Sequence, residues 1–315
     1  MKRTTKPLAV ILLVVAIYGR AASAPAALFQ HRGHQNPTTK PGTTKSVPHP
    51  VTFREVPGRG LLVRTWINGT GPFNFAIDTG AGATLLSPLV ANEARVTRAG
   101  ERAGSVAGLS GAMRSAYHAS LQSLAIGEME NYLPGSRQVM ITDGLPSDLD
   151  GVLDPTEALS PLGYSIDIPR HEFIAFDPNT EAVKVNRIAG EGTVVAWLRQ
   201  GQEGRPFVML DNGDRALLDT GSSLGLVVRD PNAARNSAHV ARDVGGGQIS
   251  TRRGSTSTIS IGSLMLKRIP TDFVSGTEAS APVLLGLAAL RPFRLRFDPV
   301  HRLIEISVST GPRNN

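Results

Sequence analysis

Ala76-Ile77-Asp78-Thr79-Gly80-Ala81 and Leu217-Leu218-Asp219-Thr220-Gly221-Ser222 say nearly the same thing twice. In each, two apolar residues lead into a carboxylate, a hydroxyl and a glycine. One such triplet is weak, since three ordinary residues often meet in a turn. Two in matched surroundings are a repeat, and a repeat decides architecture before any single element does. A carboxylate at the end of an apolar strand is half of a catalytic site that needs two halves.

The surroundings match. A Gly-rich segment follows each triplet, Gly104 to Gly111 in the first half and Gly245-Gly246-Gly247 in the second. An alternating strand then ends in Ile-Gly, with Gly127 lying 49 positions after Asp78 and Gly262 lying 43 after Asp219. Val152-Leu153-Asp154 answers Leu284-Leu285-Gly286, and Ile166-Asp167 answers Phe297-Asp298 at 13 and 12 residues beyond. Phe176-Asp177-Pro178 is closer by eye to Phe297-Asp298-Pro299 but would need an insertion, so Asp167 is preferred.

Leu61 to Ile67, a turn at Asn68-Gly69-Thr70-Gly71 and Phe73 to Ile77 read as a β-hairpin that delivers Asp78. Phe207 to Leu210, Asp211-Asn212-Gly213 and Ala216 to Leu218 do the same for Asp219. After each triplet a short strand is expected, then a helix start. Ser87-Pro88 and Asp230-Pro231 each set a capping side chain before a proline suited to the first helical position. The rest is short strands and glycine turns.

This order of landmarks resembles that of the pepsin-like and retropepsin-like aspartic peptidases, particularly the bacterial single-chain relatives, over residues 51 to 308. The resemblance implies a predominantly β, bilobal aspartic-peptidase-like (acid protease) fold, with pseudo-two-fold related lobes and few short helices. The N-terminal lobe is expected over residues 51–185 and the C-terminal lobe over 186–315, with the linker near Ala182 to Glu191. It further implies a monomeric aspartic endopeptidase acting on peptide or unfolded protein. Its catalytic pair would be Asp78 and Asp219, needing neither metal nor cofactor.

Two carboxylates sharing one proton suit peptide hydrolysis by water, because like charges about 3 Å apart cannot both ionise. One takes a proton from water while the other gives one to the scissile carbonyl. In the family, hydroxyls at the positions of Thr79 and Thr220 bond across to the opposite loop. Glycines at those of Gly80 and Gly221 allow close backbone approach. A hydroxyl after the glycine bonds its own aspartate in pepsin-like relatives. Ser222 offers one to Asp219 and Ala81 offers none to Asp78, so an asymmetric dyad is expected. Gly108 and Gly111, and Gly246 and Gly247, match the two flap positions, where a hairpin tip closes over substrate. Asp154 departs from the glycine usual there and would need hydrogen-bond partners.

The N-terminus carries Lys2, Arg3 and Lys6, an apolar run from Leu8 to Tyr18, and Ala22-Ser23-Ala24. That is the pattern of a secretory signal peptide over residues 1–24, too short to remain as a membrane span. The protein is therefore expected to be exported, periplasmic or secreted, with no stable membrane insertion after cleavage. Residues 25–50, rich in Pro and Thr, read as a flexible linker. The net charge of +7 is accounted for by seven basic residues before position 50: Lys2, Arg3, Lys6, Arg20, Arg32, Lys40 and Lys45. The remaining body is neutral, which offers no electrostatic footprint for nucleic acid.

Other chemistries fit less well. Gly221-Ser222-Ser223-Leu224-Gly225 matches the serine-hydrolase elbow pattern, but the 92 residues after Ser223 lack the strand and helix alternation such a site needs. The seven histidines are scattered, and the acidic run Asp143, Asp148, Asp150 and Asp154 lacks the spacing of a calcium loop. Trp66 and Trp197 sit in apolar strands and read as packing residues. The alternative of weight is a catalytically silent bilobal peptide-binding protein of the cell envelope, since fold does not guarantee function.

Overall fold

The computed structural model describes residues 46–185, 192–200, 203–233 and 239–309, preceded by the short strands Val10–Ile11 and Val15–Ile17. Each lobe is organised around the strand that carries its aspartate. In the first, Gly60–Ile67 and Thr70–Ile77 pair antiparallel through Asn68 (φ 51°) and Gly69 (φ 78°). Two successive left-handed residues give the turn whose twist suits a two-residue hairpin. Gly151–Leu153 then lies parallel to Thr70–Ile77, with Leu153 opposite Ile77, and antiparallel to Leu85–Leu86.

The second lobe repeats the device. Val283–Gly286 is parallel to Arg215–Asp219, with Leu285 opposite Leu218 and Gly286 opposite Asp219, and antiparallel to Leu226–Arg229. Ile77, Leu153, Leu218 and Leu285 are all fully buried. Strands covered on both faces have no polar side to show, which is why these runs are continuously apolar. The pairing also equates Val152-Leu153-Asp154 with Leu284-Leu285-Gly286, as the sequence spacing predicts.

A six-stranded sheet joins the lobes, in the order Gly192–Ala196, Leu303–Val308, Phe293–Asp298, Gly163–Asp167, Glu172–Phe176, Val51–Thr52. At its centre Gly163–Asp167 runs antiparallel to Phe293–Asp298, with Tyr164 opposite Phe297 and Ile166 opposite Leu295. These are the two strands that the Asp167–Asp298 correspondence equates, so the alternative through Asp177 is excluded. Tyr164 stacks on Phe297 at 4.7 Å between centroids, and Trp197 meets Phe297 edge-on at 5.8 Å. This aromatic group fastens the floor beneath the cleft. Trp197 is a packing residue, as expected, and its indole N–H donates to Arg205 O.

Two further hairpins rise from the lobes. Thr97–Ala107 pairs with Met113–Ser120, and His239–Asp243 with Gln248–Arg253. Val15–Ile17 adds antiparallel to Ser105–Ala107 on the edge of the first, and Val10–Ile11 adds parallel to Arg242–Asp243 on the edge of the second.

Three short helices are present among the described residues. α1 (Pro88–Glu93) starts where Ser87 predicts, with the Ser87 side chain accepting from Val90 N. α2 (Pro155–Leu159) is capped by Asp154, and α3 (Leu287–Leu290) follows Gly286 without a side-chain cap. After Asp230-Pro231 the cap is made as expected, with the Asp230 side chain accepting from Asn232 N at 2.9 Å and Ala233 N donating to Asp230 O at 3.0 Å; the helix expected to follow falls on residues 234–238, outside the described set.

Two other expectations change at the edges. Residues 46–50 are not a free linker: Pro48 is buried, and His49 N donates to the Asn131 side chain, which in turn donates to His49 O. Apart from the two short strands, the expected signal peptide and the linker up to residue 45 lie outside the described residues. So do residues 186–191, which hold the expected lobe boundary.

Candidate active site

Asp78 and Asp219 end their strands at the lobe interface, both fully buried. Asp78 N donates to Leu153 O at 3.0 Å, which ties its loop to the strand beneath. The two threonines exchange bonds between the lobes. Thr79 Oγ1 donates to Leu218 O at 2.6 Å and accepts from Thr220 N at 3.1 Å. Thr220 Oγ1 donates to Ile77 O at 2.8 Å and accepts from Thr79 N at 3.1 Å. Each hydroxyl thereby satisfies buried backbone groups of the opposite loop that water cannot reach. The Asp-Thr-Gly order puts a hydroxyl directly after each aspartate, and the packing of the lobes turns it to the opposite loop.

The glycines set the approach. A Cβ on Gly80 would lie 2.9 Å from Asp219 Cγ, and one on Gly221 would lie 2.3 Å from Asp78 Cγ. Any side chain at either position would wedge the opposite carboxyl away. Asp78 Oδ1 accepts from Gly80 N at 2.8 Å, while Asp219 Oδ1 accepts from Gly221 N at 2.9 Å and Ser222 N at 3.1 Å. Asp78 Oδ2 and Asp219 Oδ2 are buried and accept no bond from any described donor. Each carboxyl lies against the glycine of the opposite loop, close enough for the two to influence each other's ionisation.

Burial is the largest influence on both and raises both pKa values above the ordinary carboxyl value. The charge of Asp219 raises Asp78 further, against the single backbone donor Gly80. Asp219 is raised to about 6, with its neighbour Asp78, two backbone donors and the positive charge of Arg205 opposing the rise. The pair is asymmetric, as the contrast of Ala81 with Ser222 predicts, but for a different reason. Ser222 Oγ accepts from Leu224 N at 3.4 Å, and it is the Ser222 backbone N–H that reaches Asp219.

Asp154, the departure from glycine, has the partners it needs. Its side chain accepts from Thr156 N at 2.9 Å as the cap of α2, and its own N–H donates to Thr84 Oγ1 at 3.1 Å. Burial pushes its carboxyl up to about 8, with Glu157 adding to the rise and Thr156 and Glu157 N–H opposing it. Asp-Pro-Thr-Glu is a capping pattern of the same kind as Ser87-Pro88, so this role was readable in the sequence. Thr84 and Arg205 had no such signal.

All four flap glycines sit at the hairpin tips. Gly111 (φ 76°) and Gly246 (φ 86°) occupy left-handed turn positions. Gly108 and Gly247 lie where the two tips touch. A Cβ on Gly247 would come 1.9 Å from Ser110 Oγ in the other hairpin. The two hairpins meet at their tips, so the second is not a free surface turn.

A predominantly β fold of two related lobes, each contributing one Asp-Thr-Gly loop to a common interface, is that of the aspartic peptidases. Residues 63–153 match the family model for aspartyl protease, a span running from the hairpin before Asp78, through the first flap, to Leu153 beneath the loop. That match supports an aspartic-protease function in general. A comparison with curated proteins gives no match.

Proposed function

We propose that the protein is an exported, monomeric aspartic endopeptidase that hydrolyses peptide bonds with Asp78 and Asp219. The observation that carries this is the pair of unpartnered Oδ2 atoms on two carboxyls held together by reciprocal threonine bonds. A water bound between them loses a proton to the ionised carboxylate as it attacks the scissile carbonyl. The protonated partner donates to the carbonyl oxygen; the proton taken from water then passes to the leaving amine as the C–N bond breaks, and the diol returns one hydroxyl proton to the carboxylate that gave its own, restoring the pair. With two backbone donors on Asp219 Oδ1 against one on Asp78 Oδ1, the ionised form is better supported at Asp219, although the protons belong to the pair.

An extended peptide is the substrate form the flaps suit. Ser105–Ala107 and Arg242–Asp243 both offer backbone edges, and chain segments already pair along each of them. Export follows from the basic and apolar pattern of residues 1–24.

The test is cleavage of an unstructured protein across pH 3 to 8 by the chain lacking residues 1–24, beside Asp219→Asn. Cleavage by the parent that disappears in the variant supports the dyad. A folded parent that binds peptide without cutting it would replace this reading with that of a silent binding protein.

A further inference from the structure

The flap tips do more than meet: each is seated in the other lobe. Leu109, at the tip of the first hairpin, is buried in an apolar cluster whose other members, Phe207, Leu217 and Leu224 among them, all belong to the second lobe. Val244, at the tip of the second, is buried in an apolar cluster whose other members, Ala81, Ala83 and Leu85 among them, all belong to the first. Each cluster extends to a catalytic loop, since Ala81 and Leu224 follow the two triplets closely. Glu278 N also donates to Leu109 O at 3.2 Å, so the first tip is held by backbone as well as by its side chain.

Between these two plugs lies a charge. Asp243 is 4 % exposed, and its carboxylate spans the seam: Oδ2 accepts from Ser110 N of the first flap at 2.7 Å, and Oδ1 accepts from Gly247 N of its own tip at 3.0 Å. The first flap is shaped to receive it. A Cβ on Gly108 would fall 2.0 Å from Asp243 Cγ, and Gly108 is not in a left-handed conformation, so close approach is what demands glycine here.

We propose that Asp243 is a latch between the two flaps, and that its release governs admission of substrate to the cleft. A buried carboxylate on two backbone N–H groups is a strong, directional bond, unlike the apolar plugs on either side, which tolerate sliding. With the latch made, Leu109 and Val244 occupy ground beside the catalytic loops, and a substrate must displace them. Asp243 touches neither substrate nor the dyad; it is a positioning residue. Its role as a gate rests on the peptidase reading, while its role as a flap latch does not.

The chain has no cysteine, so Met113→Cys on the first flap and Val240→Cys on the second, both at exposed positions, give two unique spin-label sites. Pulsed electron resonance on the doubly labelled full chain reads the distance between flaps. The parent is expected to give one narrow distance. Asp243→Ala should lower the closed-to-open ratio about tenfold or more, seen as a broad, longer distribution. Gly108→Ala breaks the same contact from the opposite lobe and should do likewise, and Asp243→Asn should fall between, since it keeps an acceptor but sets an NH2 group against one N–H.

Parent-like distances in both Asp243→Ala and Gly108→Ala would overturn the latch. If the parent cleaves peptide, Asp243→Ala should lower KM several-fold with kcat little changed, because a larger fraction is competent to bind. An unchanged or raised KM despite open flaps would overturn the gating role. Distances that respond in a parent without cleavage would retain the latch and reject the peptidase reading.

Discussion

Beneath the two aspartates the lobes solve one packing problem in two ways. In the first, Asp154 follows the supporting strand, caps α2 and receives support from Thr84, whose hydroxyl accepts the Asp154 N–H. In the second, Gly286 follows the equivalent strand, its N–H donates to Gly225 O at 3.0 Å, and α3 begins without a side-chain cap. A Cβ on Gly286 would lie 2.5 Å from Leu224 O and 2.8 Å from Ser222 O, and one on Gly225 would lie 1.9 Å from Pro270 O. The second lobe draws its backbone tight where the first interposes side chains. A pseudo-two-fold site therefore needs symmetry only where its halves touch, at the threonines and glycines; one layer below, each lobe is free to differ.

Symmetry at the dyad itself gives the largest expected effect. Asp78→Asn and Asp219→Asn should each reduce kcat by about 10³-fold or more, because either change removes one partner of a shared proton. Single-turnover assays on the two variants would separate them, and substantial activity in one alone would break the equivalence. Next comes the layer beneath. Gly286→Ala should destabilise the fold by about 1–3 kcal/mol through overpacking against backbone carbonyls. Asp154→Ala should cost about 1 kcal/mol through a lost cap. Urea unfolding of both variants tests whether the tight lobe is the less tolerant one.

Asp154 also has a pH signature that the second lobe lacks. Its folded-state pKa, pushed up to about 8, lies above the ordinary 3.8, so the folded protein keeps a proton that the unfolded chain releases. The stability contributed is full below the unfolded value and is lost as pH rises towards 8, at up to about 1.4 kcal/mol per pH unit for one group. Asp154→Asn, which still caps, should flatten that decline. Urea midpoints at pH 5 and pH 8 for parent and variant check it, and equal slopes would mean that Asp154 is already ionised in the fold.

The parts of this arrangement that were legible in sequence share a cause. Asp78, Thr79 and Gly80 with their counterparts are contiguous, so short-range order carries the whole constellation, and the register of the supporting strands follows from apolar runs buried on both faces. What was hidden depends on contacts distant in sequence. Nothing in Asp243-Val244 or in Gly108-Leu109 says that two tips 135 residues apart exchange places, because each plug is an ordinary hydrophobic residue in a glycine turn. Asp230-Pro231 belongs with the legible parts. Its capping signal is local, and the bond it calls for is made, with Asp230 accepting from Asn232 N as Asp154 does from Thr156 N.

The smallest expected effect concerns the residues after the two triplets, where a side-chain difference is visible in sequence but the physical difference lies in the backbone. Asp219 Oδ1 has two N–H donors and Asp78 Oδ1 has one, and Ser222 Oγ points instead to Leu224 N. A donor to the ionised form lowers a carboxyl pKa whether it comes from main chain or side chain. Ser222→Ala leaves both N–H groups in place, so the acid limb of the pH–rate profile should shift by no more than a few tenths of a pH unit. It also removes the acceptor facing Leu224 N, at a stability cost of about 1 kcal/mol. A shift of a full unit would assign the asymmetry to the hydroxyl. An unchanged profile with a modest loss of stability would leave it with the turn of the main chain, which differs between the lobes even where their sequences agree.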